Sequence, residues 1–231
     1  MGERKARDPR GARNPRKALI SASLAAADQA ALGAAAEELS RHVDLIHIDL
    51  EDGSFSPNLT VGPFVVRDLR PHSRLPFEVH LMLRHPEDHL PEVALAGADI
   101  IVVNVEACPY PLRTIRLIRS LGKRAGLAFN WGTPLGALPY LAGELDCLLL
   151  LTSEPDLEGQ KYIEGAPARV AEAKRLLGAA PVAIIVDGGV GEANAAALAD
   201  QGATEFVVGR YLWRGGDVAN NVSRLRTVLE D

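Results

Sequence analysis

Residues 45–53, with the sequence Leu-Ile-His-Ile-Asp-Leu-Glu-Asp-Gly, form the stretch on which the predicted fold depends. Large apolar residues followed by a glycine-containing turn are typical of a buried β-strand. His47 and Asp49 are two residues apart, and side chains two apart on a strand point to the same face. An imidazole beside a carboxylate is half of a metal site. The alternative is a structural histidine in the core beside a strand-end aspartate, since so short a motif often occurs by chance.

The composition is that of a globular α/β protein. The chain has 231 residues, of which 47% are hydrophobic and 24% charged, enough to bury a sizeable core. No apolar run approaches the roughly 20 residues that span a membrane, so we expect a soluble protein without a membrane partner. Cys108 and Cys147 lack Cys-x-x-Cys spacing, which favours reduced thiols in a cytoplasmic protein over a disulfide framework.

The first 17 residues differ from the rest of the chain in charge. They contain seven basic and two acidic residues, a net charge of +5, and because the whole chain carries −5 the remainder carries −10. We expect residues 1–17 to be a disordered extension, since they contain Pro9, Gly11 and Pro15 and lack the apolar core of a secretory signal. A solvated tail is favoured over a nucleic-acid-binding segment, so no nucleic-acid partner is predicted.

From residue 18 to residue 231 predicted strands and helices alternate. Strands are predicted over 18–24, 45–50, 77–81, 99–105, 125–129, 146–151, 181–186 and 204–208. Helices are predicted over 28–41 with Asp28 as cap, 86–96, 111–121, from Pro134, 166–177, 192–201 and 217–229, with a short one after Gly62. Eight such units indicate a single-domain TIM (β/α)8 barrel. An open, doubly wound sheet is the alternative.

The barrel makes a geometric prediction about polar residues at strand ends. Active sites in this fold lie at the C-terminal ends of the strands. His47 and Asp49 end the second predicted strand, His80 the third and Asp187 the seventh. Four potential metal ligands therefore converge at one end of the barrel.

Several motifs occur in order along the chain from residue 19 to about residue 213. They are Ser23-Leu24 with Asp28, Ile46-His47-Ile48-Asp49 with Asp52-Gly53, Phe55 with Pro57-Asn58, Val79-His80-Leu81-Met82, Gly97-Ala98-Asp99, Val105-Glu106-Ala107, Asn130 with Thr133-Pro134, Gly159-Gln160-Lys161, and Val186-Asp187-Gly188-Gly189-Val190. Each is weak alone, but their order and their positions in the barrel are specific. By these motifs the chain resembles the ribulose-phosphate 3-epimerase family.

The resemblance implies an isomerase of carbohydrate metabolism, a 3-epimerase acting on ribulose 5-phosphate, as in pentose phosphate metabolism, or on a related hexulose or heptulose phosphate. It implies that Asp49 and Asp187 alternate as base and acid on opposite faces of an enediolate. It also implies that His47, Asp49, His80 and Asp187 bind one divalent ion, Zn²⁺, Mn²⁺, Fe²⁺ or Co²⁺, and that the protein is a homo-oligomer.

A phosphorylated ketose needs a phosphate site and contacts to its hydroxyl groups. Glycines after strands seven and eight let backbone amides approach an anion ahead of a helix. The predicted substrate-binding residues are Ser23, Glu51, Met82, Gly159, Gly188, Gly189, Gly209 and Arg210.

The chain departs from the usual family pattern around the predicted substrate. Glu51 replaces a methionine, Asn104 a histidine and Arg210 a serine, while Asp156 and Glu158 replace glycines of a loop. The predicted metal and acid/base residues are all present, so we expect the reaction to be kept. One hypothesis is that the enzyme prefers a ketose phosphate other than ribulose 5-phosphate, and the alternative is that the departures are neutral. Two other functions remain open: another metal-dependent enzyme, such as a decarboxylase or aldolase, and a non-catalytic sugar-phosphate-binding barrel.

Overall fold

The computed structural model describes residues 18–154 and 161–230, which form a closed barrel of eight parallel strands. Each strand pairs with the next along the chain, and β1 pairs with β8. The bounds are β1 Leu19–Ser23, β2 Leu45–Glu51, β3 Phe77–Met82, β4 Ile100–Asn104, β5 Arg124–Phe129, β6 Cys147–Leu151, β7 Ala183–Asp187 and β8 Glu205–Val208. The predicted TIM barrel is confirmed, and the alternative of an open sheet is wrong.

Within residues 18–154 and 161–230, eight α-helices follow the strands. Their bounds are α1 Leu32–Leu39, α2 Pro63–Leu69, α3 Leu90–Ala96, α4 Pro111–Ser120, α5 Leu138–Leu141, α6 Ala166–Leu177, α7 Ala195–Asp200 and α8 Val218–Glu230. Short 3₁₀ helices accompany them at Leu24–Ala26, Arg70–His72, Pro86–His89, Val105–Ala107 and Arg214–Gly216. In the described part of the chain no helix is long and apolar enough to cross a membrane.

Two predicted helix starts are wrong. The Asp28 carboxylate accepts a hydrogen bond from the Ala30 amide within a turn, and α1 begins only at Leu32. An aspartate that bonds its own nearby backbone stabilises a turn in place of a helix. After Pro134 the chain forms one helical turn, α5, because Gly136 disfavours helix in between.

Some predictions fall outside the described residues. These are the basic extension, residues 1–17, and the loop residues Asp156, Glu158 and Gly159.

Alternation along the strands separates the outer core from the barrel interior. On β2, Ile46, Ile48 and Leu50 point outward and belong to the large cluster that packs the helices against the barrel. Burial of both faces explains the nearly continuous apolar runs of these strands. A second cluster fills much of the barrel interior, mainly with residues of β4 to β8 such as Ile100, Val102, Leu149, Ile185 and Val207. The interior beside β2 and β3 holds polar residues instead.

Candidate active site and metal centre

Three pairs of residues face each other across β2 and β3. Residues in register on parallel strands share a face, so both members of each pair point into the barrel. The pairs are His47 with Glu78, Asp49 with His80, and Glu51 with Met82, in order toward the C-terminal mouth. The first pair is fully buried, and the last lines a cavity at the mouth. Two imidazoles and three carboxylates therefore lie within three layers of one corner of the barrel.

Asp187, the last residue of β7, completes a cluster of four potential metal ligands. One ligand atom from each of His47, Asp49, His80 and Asp187 lies within 4.8 Å of the others. His47 Nε2 is 3.0 Å from Asp49 Oδ1 and 3.8 Å from Asp187 Oδ2, and His80 Nδ1 is 3.3 Å from Asp49 Oδ1. Atoms bound about 2.1 Å from one ion lie at most about 4.2 Å apart. The four side chains therefore fit one divalent metal ion after small shifts.

The two carboxylates of the cluster have opposite pKa shifts. Burial alone raises the pKa of Asp49, but the adjacent His47 and His80 outweigh it and hold that pKa well below its usual range. Burial and the charge of Asp49 raise the pKa of Asp187 to about 6. Burial lowers the pKa of His47, but Asp49 and Glu78 raise it further than burial lowers it. Two carboxyl groups whose pKa values are pushed apart are suited to acid and base roles.

The ring nitrogens on the far side of each histidine also have partners. His47 Nδ1 lies 2.7 Å from Glu78 Oε1, and His80 Nε2 lies 2.9 Å from Asn104 Oδ1. Sequence reasoning missed Glu78, although a signal was present: it precedes His80 by two residues on the same strand and so shares its face. Asn104 was noted only as a departure from the family pattern.

Ser23 contacts the cluster, and Glu51 lies in the next layer toward the mouth of the barrel. The Ser23 hydroxyl, at the end of β1, donates to Asp49 Oδ2 at 3.2 Å. The Glu51 carboxylate accepts a hydrogen bond from the Ser56 hydroxyl, and burial raises the pKa of Glu51. Thr60 Oγ1 donates to the Asp49 carbonyl at 2.7 Å and accepts from the Glu51 amide at 2.9 Å. Ser56 and Thr60, in the loop after β2, therefore hold the Glu51 carboxylate and the backbone at the end of β2 in place.

Glycines surround the other side of the mouth, after β7 and β8. Gly188 has φ +119° and Gly189 has φ +67°, in the left-handed region that other residues rarely adopt. A Cβ atom on Gly188 would collide with Ser153, and one on Gly189 would lie 2.9 Å from the Tyr162 amide nitrogen. Only glycine fits at either position.

A single cavity of about 1960 Å³ joins these parts of the site. Its lining includes both acids of the cluster and every predicted substrate-binding residue that the structure describes. These are Asp49, Asp187, Ser23, Glu51, Met82, Gly188, Gly189, Gly209 and Arg210. The structure thus brings together residues from β1, β2, β3, β7 and β8. Of the predicted substrate-binding residues, only Gly159 lies outside the part of the chain that the structure describes.

Comparison with known proteins gives the family. A profile of the ribulose-phosphate 3 epimerase family matches residues 19–213. This chain belongs to the ribulose-phosphate 3-epimerase family. It is 38% identical to a ribulose-phosphate 3-epimerase of Bacillus subtilis over 211 residues, which covers 90% of this chain and 97% of that protein. It is 36% identical to the Escherichia coli K12 ribulose-phosphate 3-epimerase over 215 residues, 91% of this chain and 96% of that one.

More distant structures share only the fold. Orotidine 5'-phosphate decarboxylase from Pyrococcus horikoshii superposes with a TM-score of 0.68 at 16% identity, covering 92% of this chain and all of that one. A tryptophan synthase α-subunit from Pyrococcus furiosus superposes with a TM-score of 0.67 at 16% identity, covering 93% and 98%. Family membership confirms the predicted enzyme class, an isomerase that epimerises carbohydrate phosphates, and the predicted capacity for one divalent metal ion.

Proposed function

We propose that this epimerase inverts carbon 3 of a ketose phosphate, with Asp49 and Asp187 as its two acid/base groups. The supporting observation is that a buried carboxyl group, Asp49, and a partly buried one, Asp187, reach one cluster from β2 and β7, strands separated in the barrel by β1 and β8. A planar intermediate bound between them would present one face to each carboxyl group. Inversion needs a proton removed from one face and a proton delivered to the other.

In the metal-free site, electrostatics already distinguish the two acids. Asp49 has a pKa held well below its usual range, so its carboxylate is ready to accept a proton. Asp187 has a pKa raised to about 6, close to the pH at which a group both donates and accepts protons efficiently. Ser23 orients Asp49 by a hydrogen bond to Oδ2. In the reverse reaction the two acids exchange roles.

His47 and His80, with the same two carboxylates, would hold the metal ion. A bound divalent cation supplies Lewis-acid stabilisation of the negative charge that develops on the sugar oxygens. Both imidazoles are fully buried, so the ligand end of the site is shielded from water while the cavity above stays open to substrate. Zn²⁺, Mn²⁺, Fe²⁺ and Co²⁺ all accept this set of nitrogen and oxygen ligands.

The phosphate group would bind on the opposite side of the cavity from Glu51. Gly188, Gly189 and Gly209 line the cavity there, where their backbone amides would meet the anion, and Arg210 lines the same cavity and would add a guanidinium charge. The loop geometry at Gly188 and Gly189 leaves no room for a side chain, which allows an anion to approach the backbone closely.

We further propose that the substrate is a ketose phosphate other than ribulose 5-phosphate, with six or seven carbons. Glu51 supports this, because it puts a carboxylate that accepts hydroxyl hydrogen bonds on the cavity wall. Asp156 and Glu158, the two acids that replace family glycines, lie outside the described residues.

The experiment is an NMR assay of five-, six- and seven-carbon ketose phosphates, each with and without added divalent metal. Metal-dependent inversion at carbon 3 is the expected result, with faster turnover of a longer sugar. Asp49→Asn and Asp187→Asn should each abolish inversion while circular dichroism reports an intact barrel. Cleavage products would instead indicate a lyase, and binding without turnover would indicate a non-catalytic barrel; either result contradicts the proposal.

We also propose that the enzyme works as a homo-oligomer in the cytoplasm. The family resemblance supports the first part, and two buried, free cysteines, Cys108 and Cys147, fit a reducing compartment. Light scattering coupled to size-exclusion chromatography measures the oligomeric state, and a monomeric mass would contradict it.

A further inference from the structure

We propose that Glu78 and Asn104 are positioning residues that decide which nitrogen of each ligand histidine faces the metal ion. The inference rests on the proposed function, because it takes His47 and His80 as ligands of the catalytic metal. Neither Glu78 nor Asn104 lines the cavity or belongs to the cluster of four ligands. Both act through the far side of an imidazole ring.

Glu78 determines how His47 is presented. Its Oε1 lies 2.7 Å from His47 Nδ1, and both side chains are fully buried. A carboxylate only accepts hydrogen bonds, so the hydrogen of the imidazole stays on Nδ1. Nε2 faces the cluster, with Asp49 Oδ1 3.0 Å away, and would give up its own hydrogen to solvent when a cation binds there. The metal ligand of His47 is therefore Nε2.

Asn104 determines the opposite choice for His80. Its Oδ1 lies 2.9 Å from His80 Nε2. Its amide nitrogen donates to Glu106 Oε2 at 3.3 Å and to Asn130 Oδ1 at 3.2 Å, two acceptors that fix the amide with its oxygen toward His80. The hydrogen of His80 is therefore on Nε2, and Nδ1 is the nitrogen left for the metal.

A purely structural role for Glu78 is disfavoured by the state of its second oxygen. Glu78 Oε2 is buried and, among the described residues, has no hydrogen-bond partner. A buried carboxylate oxygen left without a hydrogen bond destabilises the folded protein. Such a group fits a site where a carboxylate behind a ligand histidine orients the ring and makes it a stronger ligand for a cation.

The test compares metal affinity with folding stability in matched variants. Glu78→Leu removes the acceptor, whereas Glu78→Gln keeps an acceptor oxygen and removes the charge. Asn104→Leu removes its acceptor, whereas Asn104→Asp keeps it. Glu205→Gln is the control, because Glu205 is another fully buried glutamate of the barrel, on β8, and does not hydrogen-bond any of the four ligands.

Zn²⁺ affinity, measured by competition with a chromophoric chelator, should fall about 10- to 100-fold in each leucine variant. Glu78→Gln and Asn104→Asp should recover at least part of that loss, and the Glu205 control should stay within about twofold of wild type. Thermal unfolding of the metal-free proteins should show no parallel loss of stability. The visible spectrum of the Co²⁺-loaded protein should change in the leucine variants and not in the control.

Three outcomes would overturn the assignment. They are unchanged Zn²⁺ affinity in a folded leucine variant, a Glu205 control that loses as much affinity as Glu78→Leu, and loss of affinity that tracks loss of stability. If a leucine variant does not fold, the alanine variant at the same position, which also removes the acceptor, takes its place with the same expected loss of Zn²⁺ affinity and the same contradicting outcomes. Metal affinity is read without turnover, so failure of the proposed function, seen as absent epimerisation by wild type, is a separate result.

Discussion

Replacing Asp187 with asparagine in the metal-free protein removes the one carboxyl group of the cluster whose ionisation opposes folding. Burial and the neighbouring Asp49 charge raise the pKa of Asp187 from an ordinary 3.8 to about 6. A shift of about two units corresponds to about 3 kcal/mol of free energy.

The sign follows from proton linkage. Because the folded pKa of Asp187 lies above the unfolded one, its contribution to stability is fully present below about pH 4 and is lost as the pH rises through about 6. Asparagine does not ionise, so the stability of the variant does not fall with this ionisation as the pH rises. The free energy of unfolding of Asp187→Asn, minus that of wild type, should therefore increase by up to about 3 kcal/mol between pH 4 and pH 7.

Urea unfolding in the presence of a chelator, repeated at several pH values across this range, measures the difference. Asp49→Asn is the matched control with the opposite sign, because His47 and His80 hold the pKa of Asp49 well below its usual range. The ionised Asp49 stabilises the folded state above its unfolded pKa, so its asparagine variant should be less stable than wild type at neutral pH. A difference for Asp187→Asn that is flat, or that shrinks as the pH rises, would refute the reasoning.

Three further predictions concern the metal ligands, the glycine loop after β7, and Glu51 on the cavity wall. His80→Ala should lose most bound metal in elemental analysis, because Nδ1 is one of four ligand atoms; a full equivalent in that variant would rule out the ligand set. Gly188→Ala should lower the free energy of unfolding by about 2 kcal/mol or more, since φ is +119° and a Cβ would meet Ser153. Gly132→Ala is the control and should change stability little, because the space around Gly132 is open. Equal effects of the two substitutions in urea unfolding would contradict this prediction. Glu51→Met should raise kcat/KM for ribulose 5-phosphate about tenfold relative to longer ketose phosphates. A wild-type enzyme that prefers ribulose 5-phosphate would contradict the proposed preference for a longer sugar.

Much of the site followed from two periodicities in the sequence. Alternation on a strand put His47 and Asp49 on one face, and the strand–helix repeat predicted a barrel that brings Asp187 beside them. Both depend only on which residues are apolar and how they are spaced, so a single sequence is enough to predict them.

The outer contacts of the histidines needed the strand register as well. Glu78 faces His47 only because β2 and β3 pair with these two residues opposite each other, and no local pattern encodes that pairing. The Asn104 amide could be oriented only once Glu106 and Asn130 were known to lie beside it. The start of α1 was missed for a local reason: Asp28 bonds the Ala30 amide and begins a turn there instead of a helix.

The most direct test of the two-base account follows the hydrogen at carbon 3 through one turnover in D₂O. The metal-loaded enzyme and a ketose phosphate that it turns over are mixed and quenched early, and the epimerised product is analysed by NMR. If Asp49 and Asp187 act on opposite faces, the product carries solvent deuterium at carbon 3, because the proton removed stays with one acid and the other supplies its own. A product that keeps the substrate's own hydrogen at carbon 3 would mean that one group carries the proton between faces, and would contradict the two-base assignment.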